Sequence, residues 1–206
     1  MLLTIHPVDP EPRKLRVVLE ALNNGGVVVC PTDTVYAFVC SAHSARAIEE
    51  VARLKGVKPQ KADLSLICQD LSQLSTYARS VDTAAFRIMK RALPGPYTFI
   101  LAASNEIPKL FKNNKRTVGI RVPDHPIPQA IVRELGHPLV VASVHDPDLI
   151  LDHTTDPERI EEHLGHQVEI VIDGGLCGLE GSTVIDLTQG EPIVLREGKG
   201  TLEGLF

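Results

Sequence analysis

The chain lacks most of the features that would place it quickly. No apolar run approaches the roughly 18 residues needed to cross a bilayer. The first residues, Met1-Leu2-Leu3-Thr4-Ile5-His6-Pro7, lack the basic flank and apolar centre of a secretory leader. A cytoplasmic location is therefore the expectation, with no membrane partner. There is no C-x-x-C pair among Cys30, Cys40, Cys68 and Cys177, and three of the four end apolar runs, where a small thiol packs well. G-x-x-x-x-G-K-[ST], G-x-G-x-x-G and G-x-S-x-G are all missing. His163 and His166 stand three apart with no ligand pattern around them, so no metal site is expected. No repeat period and no linker divides the chain.

What is present is 206 residues, 43% of them hydrophobic, enough for one α/β domain spanning 1–206. The net charge of −5 is unevenly spread. Residues 51–121 hold 13 Lys and Arg against 4 Asp and Glu; residues 122–206 hold 4 against 16. A basic middle within an acidic protein is what an anion-binding face looks like, although solvated helix faces give the same count.

Strand-like and helix-like patterns alternate. Strands are expected at 2–6, 27–29, up to Cys40, 64–68, 97–103, 117–122, 139–143, 168–172, 182–186 and 193–196. Helices are expected at 13–24, where Leu15, Val18, Leu19 and Leu22 recur, at 41–54 with Ser44 or Ser41 as cap, and at 82–93 with Phe86, Met89 and Leu93 inward. Others are expected at 127–135 and 157–164, with a short one within 105–116. Alternation of this kind predicts a single twisted α/β domain, and the crowded strands near the end predict a mixed parallel and antiparallel sheet.

The stretch Cys30-Pro31-Thr32-Asp33-Thr34-Val35-Tyr36-Ala37 sets polar groups between two strand-like runs. A buried hydroxyl without a partner costs about 1–3 kcal/mol, so this turn suits the floor of a ligand site. Arg121, Ser143 and Ser182-Thr183 also sit at strand ends, where α/β sheets bind ligands. Each hydroxyl alone could bond its own turn backbone; the set together argues for a cleft. Lys55-Gly56-Val57-Lys58-Pro59-Gln60-Lys61 combines cations with a glycine for close backbone approach, the ingredients of a phosphate site.

These stretches occur in a familiar order. Pro31 to Tyr36, Leu54-Lys55-Gly56, Leu93-Pro94-Gly95-Pro96-Tyr97-Thr98-Phe99, Arg121 to Pro126, Ser143, Ser182 to Asp186 and Leu195 to Gly198 together resemble the YrdC/YciO family of threonylcarbamoyl-AMP synthase-type proteins. Cys68 to Ser72 and Val194 to Gly198 are most similar to its YciO branch. The resemblance covers nearly the whole chain. It implies a twisted α/β sheet with flanking helices around a concave basic cavity. It implies a nucleotidyltransferase joining L-threonine, bicarbonate and ATP into threonylcarbamoyl-adenylate, with release of pyrophosphate, for a tRNA modification. Magnesium would accompany ATP, with no tightly bound cofactor. The family's threonine side falls on Thr32, Thr34, Tyr36, Arg121 and Ser182. Its nucleotide side falls on Lys55, Lys58, Ser143 and Arg196, and the catalytic set on Lys55, Lys58, Ser143 and His145.

Two stretches differ from the synthase pattern. Lys-x-Arg-Pro reads Lys55-Gly56-Val57-Lys58-Pro59 here, so that either Val57 replaces the arginine or one inserted residue makes Lys58 its substitute. Lysine lacks the planar fork that grips phosphate bidentately. Ser-x-Asn reads Ser143-Val144-His145, and an imidazole does not reproduce a carboxamide's paired donor and acceptor. Weak synthase activity is the expectation. The alternative is a YciO-type protein that binds double-stranded RNA or nucleotide without efficient chemistry; tRNA is a further candidate partner.

Overall fold

The computed structural model describes residues 1–58, 64–107, 116–144 and 154–206. In chain order these form β1 (Leu2–Thr4), α1 (Pro12–Asn23), β2 (Val28–Cys30), β3 (Ala37–Ser41), α2 (Ala45–Leu54), β4 (Ser65–Ile67), α3 (Leu71–Tyr77) and α4 (Thr83–Ala92). Then follow β5 (Tyr97–Ala102), β6 (Thr117–Arg121), α5 (Pro126–Leu135), β7 (Leu139–Ser143), α6 (Pro157–Leu164), β8 (Ile170–Asp173), β9 (Thr183–Asp186) and β10 (Ile193–Arg196). The strands make one mixed sheet in the order β1-β8-β2-β3-β7-β4-β6-β5-β9-β10. No helix among the described residues is long and apolar enough to cross a membrane.

Local chemistry sets most boundaries. Ser44, not Ser41, caps α2, its hydroxyl accepting from the Ala47 amide at 3.2 Å; Ser41 closes β3 instead. Pro12, expected in a loop, opens α1, where a missing amide and a fixed φ cost nothing. Gly136 ends α5 in the left-handed region at φ 73°, as a glycine cap does. α3 was not foreseen: Asp70 caps it, its carboxylate accepting from the Gln73 amide, but only Leu74 is buried, too little for a legible period. In α4 the inward face is Ala85, Met89 and Ala92, not Phe86, which is 44% exposed. Met89 is buried as expected and Leu93 packs against the core, while Ala85 and not Phe86 completes the inward row. The expected short helix within 105–116 lies largely outside the described residues.

Alternation along the strands divides the core in two. One face carries Val29, Phe38, Leu66, Ile120, Phe99 and Ile185, covered by Ile48 and Val51 of α2, Leu74 of α3, Met89 of α4 and Ile160 of α6. The other carries Val28, Cys30, Val39, Val141, Ile67 and Ile172, covered by Leu15, Val18 and Leu22 of α1 and Ile127 and Ile131 of α5. This second layer stops at β4. Beyond it the same face presents Ser65, Gly119, Arg121, Thr98, Ile100 and Val184, and among the described residues no helix of that core layer reaches them. The turn 32–36 reaches over this half of the sheet, and the candidate site is built there.

The last residues pack against the other, helix-covered face, where Leu202 and Leu205 join the core. The Thr183 hydroxyl donates to the Gly200 carbonyl at 2.6 Å, the Tyr97 hydroxyl to the Thr201 carbonyl at 2.7 Å, and the Lys199 amide to the Gly181 carbonyl at 2.9 Å. Gly198 is required by contact: a Cβ there would stand 2.3 Å from the Gly181 oxygen and 2.8 Å from the Ser182 carbonyl carbon. Because both neighbours are backbone, neither can step aside. Gly198→Ala should lower stability by about 1–3 kcal/mol; urea unfolding measures it, and an unchanged midpoint would show that the tail is loosely seated.

Candidate functional site

The turn 32–36 is held by its own hydroxyls. Thr32 Oγ1 donates to the Val35 carbonyl at 2.6 Å and accepts from the Thr34 amide at 3.1 Å. The Thr32 and Thr34 hydroxyls lie 3.0 Å apart. Both residues are buried. Tyr36 is fully buried, and its hydroxyl donates to the Gly175 carbonyl at 2.7 Å. It thereby fixes the loop after β8, whose Gly178 amide returns to the Thr34 carbonyl at 3.0 Å.

Arg121 meets this turn. Its Nη2 donates to Asp33 Oδ1 at 2.8 Å and to Thr34 Oγ1 at 3.0 Å. The other Asp33 oxygen accepts the Asp124 amide at 3.0 Å. In the ladder Arg121 is level with Ile67, Leu139 and Ser41, at the far end of β3 from Ala37. The guanidinium nevertheless reaches the turn that precedes Ala37. Strand twist accounts for this: from β2 to β6 the sheet takes four steps of about 20–25° each. The turn is thereby swung across the sheet instead of lying along its rim.

A second guanidinium is near enough for its charge to act on the first. Arg196 at the end of β10 donates from Nε and Nη2 to the Ser182 carbonyl at 3.1 and 2.9 Å. The Ser182 hydroxyl lies 2.7 Å from that of Thr98. Lys199 bridges the two halves, its ammonium donating to the Asp33 carbonyl. Burial pulls the Arg121 guanidinium below its ordinary pKa; Asp33 opposes this, and the charge of Arg196 adds to it. Arg121 Nε is buried and among the described residues has no hydrogen-bond partner. A buried orphan donor is costly in a resting protein. Here it lies between a second arginine and a cluster of hydroxyls, where a carboxylate or another small anion would satisfy it.

Thr32, Thr34, Arg121, Ser182 and Arg196 are thus brought into one network. Lys55 caps the C-terminal end of α2, followed by Gly56 at φ 67°, and Lys58 is exposed just beyond. Ser143 ends β7 opposite Ala37, and the next amide, Val144, donates to the Tyr36 carbonyl at 3.0 Å. His145 and residues 59–61 of the lysine loop lie outside the described residues. Asp33 and Lys199 belong to the site although the sequence singled out neither. The carboxylate between two threonines was the available signal for Asp33. Cys30, Cys40 and Cys68 are buried free thiols, with burial raising Cys40 and Cys68 to about 12, which suits packing and not reactivity. No metal-ligating cluster occurs among the described residues.

This geometry defines a class: an α/β protein with a mixed sheet on which a buried arginine, a second arginine and several hydroxyls are gathered. The chain belongs to the Sua5/YciO/YrdC family, whose model, described as telomere recombination, matches residues 20–198. It is 42% identical over 200 residues to an uncharacterised protein of Escherichia coli K12, YciO, covering 97% of this chain and 96% of that one. The crystal structure of E. coli YciO superposes with a TM-score of 0.91 at 39% identity, covering 100% of this chain and 99% of that one. A threonylcarbamoyl-AMP synthase of Pyrococcus abyssi is 30% identical over 195 residues, 94% of this chain but 56% of the longer relative. The P. abyssi Sua5 structure complexed with L-threonine gives a TM-score of 0.84 at 27% identity, over 96% of this chain and 57% of that one.

Two predictions follow from the charges. Arg121 and Asp33 are each 8% exposed at the side chain, and removing one partner of such a pair leaves an uncompensated buried charge, a loss of about 3–5 kcal/mol. Asp33→Ala should show it in urea unfolding; Asp33→Asn, which keeps an acceptor for the Asp124 amide, should lose less. Equal losses would mean that the charge itself matters little.

The second concerns pH. His125 caps α5, Nδ1 accepting from the Ile127 amide at 3.2 Å, and burial lowers its pKa below 6.5 against the pull of Asp33 and Asp124. Burial likewise lowers His137, whose ring stacks on His43 at 3.9 Å between centroids. Between the folded values and 6.5 the unfolded chain binds more protons, so stability falls as pH drops through that window and is flat above it on their account. The melting temperature should fall between pH 7.5 and 5.5, and less so in His125→Asn. An equal fall in the variant would assign the effect elsewhere.

Proposed function

We propose that the chain forms threonylcarbamoyl-adenylate from L-threonine, bicarbonate and ATP, with release of pyrophosphate. The observation that carries this reading is the partnerless Nε of buried Arg121 beside Arg196. In this reading the threonine carboxylate takes that donor, with Thr32, Thr34 and Ser182 lining the same end. Lys55, Ser143 and Arg196 receive the nucleotide, magnesium arriving with the ATP. The work of these residues is positional and electrostatic. Arg121 fixes the amino acid so that its carbamate faces the α-phosphate. Lysine and arginine offset the charge that moves onto the departing pyrophosphate. The printed names of the P. abyssi relatives support the reaction class and the amino acid. Lys58 and His145, standing in for the synthases' arginine and asparagine, set a lower rate.

The basic stretch 51–121 favours a second reading, an RNA- or nucleotide-binding protein that keeps the cavity without efficient chemistry. One assay separates the two. Pyrophosphate release should require threonine, bicarbonate and ATP together, and Lys55→Ala should weaken ATP binding by about tenfold, the loss of one charge-assisted contact. No release at high enzyme concentration would overturn the synthase reading. Salt-dependent RNA binding by the same inactive protein would then establish the second.

A further inference from the structure

We infer that Ser65 reads the side chain of the amino-acid substrate and selects one that bears a hydroxyl. The inference rests on the synthase reading above and names the part of the site that would give it specificity. Ser65 opens β4 on the uncovered half of the sheet and is level with Gly119 of β6. A Cβ at position 119 would stand 2.5 Å from Ser65 Oγ and 3.3 Å from Thr98 Cγ2. Glycine at 119 is therefore what lets the Ser65 hydroxyl lean over β6.

The other hydroxyls there are engaged. Thr98 and Ser182 hold each other, and Thr32 and Thr34 are tied to one another, to the turn and to Arg121. Ser65 is half-buried, and among the described residues its hydroxyl has no hydrogen-bond partner. A second observation points to a ligand over the same patch. Arg121, two residues beyond Gly119 and on the same face, is 7% exposed with Nε unpartnered. Two residues of strand span about 7 Å. That is the spacing of the backbone positions, and a small amino acid with its carboxylate at the guanidinium is long enough to set its side chain over Gly119. With its carboxylate on Arg121, the substrate's side chain lies over Gly119 and meets Ser65 Oγ. A site built to bond a hydroxyl rejects the analogue that lacks one, because its own polar group is left unpaired.

L-Valine has threonine's shape without the hydroxyl, so calorimetric titration of the purified chain with both amino acids is the test. Wild type should bind threonine about tenfold more tightly than valine, the worth of one well-made hydrogen bond. Ser65→Ala should bring the two within about twofold by weakening threonine alone, with an unchanged melting temperature, while Ser65→Thr keeps the preference. Gly119→Ala, which turns Ser65 aside, should reduce it as well. A Ser65→Ala protein that retains the wild-type preference overturns the role of Ser65 and leaves the synthase reading standing. A wild-type protein that binds no threonine overturns that reading, and Ser65's role with it.

Discussion

The ion pair between Arg121 and Asp33 ties the site together. Four parts of the chain converge on it: the turn after β2 through Thr34, the end of β6, the entry to α5 through the Asp124 amide, and the tail through Lys199. A buried pair of this kind is a poor source of net stability, since desolvation offsets most of the attraction. Its value here is positional. Asp33 takes one end of a guanidinium that would otherwise be free to swing, and so fixes where its Nε stands.

The site sits where it does because helices cover the sheet unequally. α1 and α5 seal one side of β8, β2, β3 and β7, and the seal ends at Ile67. Past that line the strands carry Ser65, Gly119, Thr98 and Arg121 beside Ile100 and Val184. The opposite side of the same strands remains fully apolar, with Leu66, Ile120 and Phe99 packed under α2, α3 and α4. The alternation of a strand thus lets one segment serve the core and the ligand at once.

Much of this was legible in the sequence, and the failures are physical. β7 and α6 match their expected bounds because strand-forming and helix-capping signals agree there. The turn 32–36 was readable because threonines between apolar runs are out of place in a core. Phe86 misled because size suggests burial, whereas the helical row that packs is set by Ala85 and Met89. Ser65, Thr98 and Gly119 gave no signal, since a small or polar residue alternating with apolar ones is what any solvent-facing strand shows. Among the described residues, only the missing helix above them distinguishes the site. Asp33 was visible as a carboxylate, but its partner is 88 residues away, and pairing across such a span is not written in local pattern.

The bond from Lys199 to the Asp33 carbonyl spans 166 positions of the chain. Loops of that length close late, after local helices and hairpins have formed. During synthesis the turn 32–36 therefore emerges long before Lys199, and the ribosome must add 166 further residues after Asp33 before this bond can form. A nascent chain halted before Lys199 would hold the turn 32–36 without the bond that ties it to the end of the sheet. The period in which that turn is untied is set by the position of one lysine in the message.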